Sequence, residues 1–160
     1  TFAQIKTDVV ECRGSRGLPA TGTYKVSIAF RDGYTSSGML TFIGPNATYK
    51  ARKSGQILLD RLKQAGFTYA HSNIEVLGSG DLVPGVIPKA EPPEVVLRVA
   101  VRDANKAAVE RFTKEYAPLV TSGFAGTSGY TTGRPIVREV FAYWPALIAK
   151  SAVAPIVTMV

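Results

Sequence analysis

The strongest strand signal in the chain is Val95-Val96-Leu97-Arg98-Val99-Ala100-Val101-Arg102. β-Branched residues dominate this stretch, and its odd positions are all apolar, which is typical of a strand that buries one face. Asp103 or Asn105 then caps a predicted helix, whose end is bounded by Pro118 and Gly123. We therefore expect a strand–helix unit in which the odd face of the strand packs under the helix.

A second strand–helix pattern precedes this unit. Asp32-Gly33 predicts a hairpin turn, because glycine accepts the positive φ that such a turn needs, and the return strand is predicted at about residues 34–43. Asn46 predicts the N-cap of a helix with apolar residues at helical spacing, which Gly66 ends. The first strand of the hairpin is predicted to face the helices through four alternating apolar residues, Tyr24, Val26, Ile28 and Phe30.

Three weaker strands complete the pattern, at about residues 8–12, 73–76 and 136–144. Two helices between antiparallel strand pairs can cover only one face of a sheet. We therefore predict an α+β fold: a ferredoxin-like two-layer sandwich, with an antiparallel sheet, two helices on one face and an extra N-terminal strand. The length of 160 residues predicts a single domain over residues 1–160.

The composition excludes several classes of protein. Cys12 is the single cysteine and His71 the single histidine, which excludes a disulfide framework and a Cys/His zinc site within one chain. No run of about 18 apolar residues is present, so we expect no membrane span. We expect no metal, no cofactor and no signal peptide, a cytoplasmic location, and a chain that is part of a longer protein because it begins with Thr1.

The net charge of +7 is unevenly distributed. Residues 1–63 carry ten basic and four acidic side chains, whereas residues 64–160 carry nine and eight. Such an excess predicts an anionic partner, although a basic surface without any site remains the alternative. Aromatic side chains for base stacking are missing from the polar strand faces, which disfavours nucleic acid. The candidate cations for an anionic ligand are Lys25, Arg31, Lys50, Lys53, Arg61, Arg98 and Arg102.

A glycine-rich loop covers residues 123–134. Its spacing matches neither the dinucleotide-binding nor the P-loop pattern, and it precedes a predicted strand rather than a helix. Backbone N–H groups and a nearby arginine can still hold an anion, and the alternative is a simple connector. A small enzyme with a pocket at this loop is the alternative function, but no catalytic residue is assigned. The candidate anion-binding positions of the loop are Gly126, Gly129, Gly133 and Arg134.

Three stretches carry a resemblance to a known family. The first is Gly33-Tyr34 followed by Phe42-Ile43-Gly44-Pro45-Asn46-Ala47, and the second is Pro93-Glu94-Val95-Val96-Leu97-Arg98-Val99-Ala100-Val101-Arg102. The third is Gly133-Arg134-Pro135-Ile136-Val137-Arg138-Glu139-Val140, running on to Trp144-Pro145-Ala146-Leu147-Ile148 and Lys150. Together they resemble the C-terminal part of proteins of the acyclic terpene utilisation (AtuA) family, over essentially all of residues 5–153.

The resemblance implies a role in the degradation of acyclic terpenes such as citronellol and geraniol, which proceeds through CoA thioesters. It also implies a large N-terminal domain ahead of a ferredoxin-like C-terminal one. We therefore expect an accessory and assembly domain whose partners are the N-terminal domain or a partner subunit, and further copies of the chain. An acyl-CoA ligand would suit the basic surface, because its phosphates need Lys or Arg partners.

Overall fold

The structure is a computed structural model, which describes residues 1–86, 91–129 and 133–159. The chain divides into two compact units. Unit 1 comprises Thr1–Ile28 with Tyr143–Val160, and unit 2 comprises Ala29–Ala142. The prediction of one domain over residues 1–160 stays a prediction.

Seven strands and three α-helices make up the described fold. The strands are β1 Phe2–Lys6, β2 Val9–Cys12, β3 Thr23–Ile43, β4 His71–Leu77, β5 Glu94–Asp103, β6 Thr127–Ser128 and β7 Arg138–Ala149. The helices are α1 Ala47–Gln64, α2 Lys106–Phe112 and α3 Tyr116–Ser122, and a 3₁₀ helix covers Lys150–Ala152.

The main sheet has the strand order β4-β5-β3-β6, and β7 also pairs with β3. β3 runs antiparallel to β5, from Tyr34 opposite Asp103 to Ile43 opposite Glu94, and β4 and β6 are antiparallel to their neighbours as well. The fold class is therefore α+β with a mostly antiparallel sheet, as predicted. The extra N-terminal strand requires correction, because β1 and β2 pair with each other in a separate two-stranded sheet.

The hydrophobic core lies in unit 2, between the main sheet and the helices. α1 packs on β4 and β5, α2 packs on β5, and α3 contacts α1 and β6. Residues of all three helices join one core cluster, so the helices cover one face of the sheet. The buried strand residues of this core are Leu40, Phe42, Val76, Val95, Leu97, Val99 and Val101. The predicted inward face of residues 95–101 is thus confirmed.

The hairpin predicted at Asp32-Gly33 is wrong, because residues 23–43 form one continuous strand. Gly33 does have a positive φ of 87°, but the chain does not turn there. A Cβ atom on Gly33 would lie 2.7 Å from the carbonyl oxygen of Asp103, which shows how closely β5 approaches. Pairing of β3 with β5 and β7 therefore outweighs the local turn preference.

The predicted burial of the apolar face at the start of β3 is also wrong. Tyr24, Ile28 and Phe30 are 43–44% exposed, and none of them joins the core. The alternating pattern correctly predicted a strand. Burial, however, depends on what packs over the strand, and the pattern of one strand does not contain that information.

The helix termini confirm some predictions and correct others. The side chain of Asn105 accepts hydrogen bonds from the N–H groups of Ala107 and Ala108, as predicted for a cap. Asn46 makes no such bond, since it adopts a left-handed conformation with φ of 57°. The single predicted second helix is divided into α2 and α3, with Pro118 in the first turn of α3, where its missing N–H costs nothing.

Candidate functional site

The described residues of unit 1 form no buried core of their own. Among its described residues, which run from 1 to 28 and from 143 to 159, none is buried. A segment of this size normally buries its large apolar side chains, because their contact with water is unfavourable. The exposed large apolar residues of unit 1 are Phe2, Ile5, Val10, Leu18, Tyr24, Ile28, Tyr143, Trp144, Leu147, Ile148, Val153, Ile156, Val157 and Met159.

Two segments of unit 1 form a paired ribbon, the start of β3 and the end of β7. The N–H of Lys150 donates to the carbonyl of Gly22 at 2.9 Å, and the Ser27 hydroxyl donates to the Tyr143 hydroxyl oxygen at 3.4 Å. Ser27 and Tyr143 thus share one face. Because side chains alternate along strands, the opposite face carries a set that we call the apolar ribbon: Tyr24, Ile28, Trp144 and Ile148.

The predicted cations lie in different parts of the chain, Lys25 in unit 1 and the others in unit 2. Several of them are paired with carboxylates, which reduces the positive field that they can offer to a ligand. Arg98 contacts Glu75 at 2.6 Å, and Arg102 forms an ion pair with Asp32. Arg31 lies 3.6 Å from Glu139. The binding role of these residues stays a prediction.

The remaining predicted cations differ in their surroundings. The ammonium group of Lys50 donates to the carbonyl oxygens of Ile43 at 2.8 Å and Ala125 at 3.0 Å, so it ties α1 to the loop after α3. Lys53, Lys25 and Arg134 are exposed. None of these three forms an ion pair with another described residue. They are thus the predicted cations that are free to meet an anionic partner.

Arg61 takes part in an ion cluster around a buried carboxylate that the sequence did not predict. Its Nε lies 2.9 Å from Glu115, whose side chain is 3% exposed, and Arg111 contacts the same carboxylate. Burial by itself raises the pKa of Glu115, but hydrogen bonds and charges from Arg61 and Arg111 outweigh this effect and hold that pKa below its usual value. This cluster fastens α1 to the α2–α3 junction.

The lowered pKa of Glu115 predicts a specific pH dependence. Because the pKa is lower in the folded state, the carboxylate contributes its full stabilisation when the pH is above the unfolded-state pKa. This contribution is lost as the pH falls through the folded-state pKa. Glu115→Gln should lower the free energy of unfolding at neutral pH by about 2 kcal/mol and flatten its decline in acid. Urea denaturation between about pH 7 and about pH 3 measures both effects.

The matched control is Glu110→Gln, which removes an exposed carboxylate of the same helical region, 3.7 Å from Lys106. This variant should keep the wild-type stability and pH profile, since exposed ion pairs contribute little. Equal pH profiles for Glu115→Gln and wild type would show that the buried carboxylate does not carry the acid sensitivity.

The described part of the glycine-rich loop leaves out residues 130–132. The backbone at Ile43 leaves no room for a side chain at Gly126, because a Cβ atom on Gly126 would lie 2.5 Å from the carbonyl oxygen of Ile43. Gly129 and Gly133 lie in the described flanks, and both are exposed. The start of the loop borders a cleft of about 330 Å³. That cleft is lined by Ser54, Ile57, Arg61, Pro118, Leu119, Ser122, Gly123 and Phe124.

Sequence reasoning did not predict that the end of β7, the second strand of the paired ribbon, is exposed. Residues 140–149 are apolar throughout, which fits a strand covered on both faces better than a strand at a wet surface. Pro145 within β7 is a further signal, because proline within strands is confined to edges and bulges. Together these signals indicate a strand that relies on further chain for its cover.

Two further findings concern the part of the chain that the structure describes. No helix in it is long and apolar enough to cross a membrane. No group of three or more His, Cys, Asp or Glu side chains in it could hold a metal ion.

The family described as "Acyclic terpene utilisation family protein AtuA" matches residues 1–159. No curated protein and no solved structure matches the chain.

Proposed function

Because the chain belongs to the acyclic terpene utilisation family AtuA, we propose that it is an accessory and assembly domain of a protein of that family. The proposal includes the C-terminal position, the link to catabolism of the citronellol and geraniol type, and a cytoplasmic location. The observation that supports the assembly role is that the described residues of unit 1 form no buried core and leave fourteen large apolar side chains exposed.

Assembly would give unit 1 the apolar contacts that it lacks. Exposed apolar patches of this extent on a protein surface mark interaction sites. A partner that covers about half of the fourteen side chains, each at roughly 100 Å², would bury about 700 Å² per copy. This area is close to the about 800 Å² per partner of a standard interface. We propose a second copy of the chain as the partner, with the N-terminal domain of the protein as the alternative.

Sedimentation velocity over a concentration series tests the assembly role. We expect the average mass to rise from one copy towards two or more between about 1 μM and about 100 μM, with moderate affinity for an interface of this size. A monomer throughout this range would exclude self-association. Binding of that monomer to the separately expressed N-terminal domain would then assign the surface to the alternative partner.

A ferredoxin-like relationship is part of the proposal. The element order β3-α1-β4-β5-α2-α3-β7 supports it, since it follows the strand–helix–strand, strand–helix–strand plan once α2 and α3 count as one helical region. The additional short strand β6 beside β3 departs from that plan. An experimental structure that superposes the four longer strands of unit 2 on ferredoxin-like domains would support the relationship.

An anionic ligand of the acyl-CoA class completes the proposal, and the net charge of +7 supports it. The exposed and unpaired Lys53 is available to its phosphates. Isothermal titration calorimetry with CoA and geranyl-CoA tests this part. Saturable heat that weakens with added salt is the expected result, and no heat at high micromolar concentration would remove the CoA hypothesis.

The alternative function is a small enzyme with its pocket at the glycine-rich loop. The observation in its favour is the cleft of about 330 Å³ that Gly123 and Phe124 border beside Arg61. Hydrolysis of a panel of acyl-CoA thioesters by the purified chain tests it. Under the assembly role we expect no turnover above the spontaneous rate.

A further inference from the structure

The outer edge of β4 has no strand beside it in the part of the chain that the structure describes. There β4 stands at the end of the main sheet and pairs with β5 alone. The backbone of Val76 points away from β5, since its N–H donates to Asp81 at 2.8 Å and its carbonyl accepts from the Ser79 hydroxyl at 2.8 Å. Because this direction alternates along an antiparallel strand, the backbone groups of Ser72 and Ile74 also point outward.

Aspartates close both ends of this open edge. At one end the N–H of Ala70 donates to the carboxylate of Asp103 at 2.9 Å, and at the other end Asp81 binds Val76. Between these ends, two N–H groups and two carbonyl groups point outward and bond to no other described residue. The open edge therefore offers two donors and two acceptors to an added strand, which is how many proteins bind an extended segment.

A groove runs between the open edge and α1. Two cavities of about 550 Å³ and about 590 Å³ form it, and Gln56 of α1 and Ile74 of β4 line both of them. The other large apolar residues of their walls are Leu59, Phe67 and Tyr69 in the first cavity and Tyr49 in the second. Alternate side chains of an added strand point to one face of the sheet, so they would enter neighbouring cavities. The groove thus fits an extended segment with apolar residues at positions i and i+2.

The charged side chains of the groove favour a segment without charge. Three of them are basic and two are acidic, so their charges nearly balance. They are Arg52, Lys53, Asp60, Lys63 and Glu91. A charged segment would gain little from this surface and would lose its hydration.

Residues 153–159 of the chain have the required chemistry. They carry no charged side chain, and their odd positions are all apolar, namely Val153, Pro155, Val157 and Met159. Val157 is 86% and Met159 is 97% exposed in the single copy, so these side chains contact little of their own chain. From residue 154 to residue 159 the backbone forms no hydrogen bond with another described residue. This segment, which we call the tail, is therefore available for pairing.

We propose that the tail of a second copy binds in this groove as an added strand of the main sheet, with Val157 and Met159 in the two cavities. Residues 156–158 are β-branched, which suits a strand. The inference rests on the second-copy assembly of the proposed function, because the tail belongs to unit 1, and it names the surface that receives the tail.

The area of such an exchange fits a dimer. Two copies that exchange tails make two equal contacts, as in a domain swap. Four tail residues at roughly 100 Å² each would bury about 800 Å² of tail surface in the two contacts together. With a similar area of the grooves, the total is close to the about 1,600 Å² of a standard interface.

Sedimentation velocity of full-chain variants tests the role of the tail. Val157→Asp should weaken self-association by about tenfold or more, because an unpaired carboxylate in an apolar cavity is unfavourable. The matched control is Leu18→Asp, which places the same charge at an apolar residue of unit 1 that is 90% exposed and lies outside the tail. The control should change the association less than twofold. Equal effects of the two variants would overturn the proposal.

A labelled peptide of residues 151–159, blocked at both ends, tests the groove. The receptor is the full chain with Val157→Asp, whose own tail no longer competes, and fluorescence anisotropy should show saturable binding. Gln56→Tyr, added to this receptor, should abolish that binding because the ring fills the junction of the two cavities. The matched control is Gln64→Tyr, an exposed position of the same helix outside both cavities. Equal binding by both receptors, or no saturable binding, would refute the groove.

Amide hydrogen exchange distinguishes strand addition from side-chain contact alone. The N–H groups of Ser72 and Ile74 should exchange several times more slowly with the peptide bound, because the added strand accepts their hydrogen bonds. Val76 is the internal control, since its N–H is already bonded to Asp81. Unchanged exchange at Ser72 and Ile74 in the saturated complex would contradict strand addition.

The same measurements separate this proposal from the proposed function. Weaker association of the Val157→Asp chain, together with peptide binding at the groove, supports both. Wild-type association of the Val157→Asp chain, with no peptide binding, keeps the assembly role and overturns the groove. A wild-type chain that stays monomeric excludes self-association, and with it a second copy as the occupant of the groove.

Discussion

Gly38→Ala is expected to lower the free energy of unfolding by about 2–3 kcal/mol, a large effect for one added methyl group. Gly38 lies in β3 opposite Val99 of β5, beneath the first residue of α3. A Cβ atom on Gly38 would lie 2.5 Å from Cζ of Tyr116 and 2.7 Å from Cγ of Pro135. Real Cβ atoms do not approach other atoms so closely, so the Tyr116 ring or the strand must move.

The Tyr116 ring cannot move without the loss of hydrogen bonds. Its hydroxyl lies 2.9 Å from the carbonyl oxygen of Gly38 and 3.0 Å from that of Val99, and donates to this pair of acceptors. Burial raises the pKa of the Tyr116 hydroxyl well above its usual value, so the group remains a donor throughout the working pH range. A displaced ring would leave buried carbonyls without this donor.

Urea denaturation at neutral pH measures the effect of Gly38→Ala. The matched control is Gly133→Ala, since a Cβ atom on Gly133 would meet nothing within 4 Å. The control should stay within about 0.5 kcal/mol of wild type, as surface substitutions usually do. A Gly38→Ala variant as stable as Gly133→Ala would show that the contact between α3 and β3 is looser than the structure has it.

Ile28→Lys is expected to weaken self-association by about 30-fold or more, which corresponds to the loss of one central interface residue. Ile28 belongs to the apolar ribbon and is 44% exposed in the single chain. The monomer tolerates a lysine there because the side chain already meets water. In the assembled protein the same lysine would bring an unpaired charge into an apolar interface, which is strongly unfavourable.

Ile43→Lys is the matched control for this prediction. Ile43 is also an isoleucine of β3, it is 50% exposed, and it lies in unit 2 rather than unit 1. Sedimentation velocity should give the wild-type association for Ile43→Lys and mainly monomer for Ile28→Lys. Unchanged association in both variants would place the interface away from the ribbon.

Local patterns predicted the elements of unit 2 well. The apolar residues at the odd positions of β5 and those at helical spacing in α1 are strong signals that depend only on nearby sequence. Residues of both sets lie in the core. The hairpin at Asp32-Gly33 failed because strand pairing is decided by distant segments, β5 and β7, which a dipeptide signal does not contain. The burial of Glu115 at the junction of α2 and α3 could not be predicted either, because its partner Arg61 lies 54 residues away.

The candidate site likewise depends on contacts between segments that are distant in sequence, which local patterns do not predict. Charge counting selected Arg61, Arg98 and Arg102 as candidate cations for an anionic ligand, but their carboxylate partners come from elements that are remote in sequence. Composition did indicate that the end of the chain is apolar, but not that unit 1 leaves these side chains uncovered.

The emission spectrum of Trp144 tests the central claim, the completion of unit 1 by assembly, most directly. Trp144 is the single tryptophan of the chain, it belongs to the apolar ribbon, and it is 63% exposed in one copy. Its emission maximum should shift to shorter wavelength as the protein concentration rises, in step with the sedimenting mass, because assembly buries the indole ring. An emission maximum that stays at its solvent-exposed wavelength while the protein associates would contradict the claim.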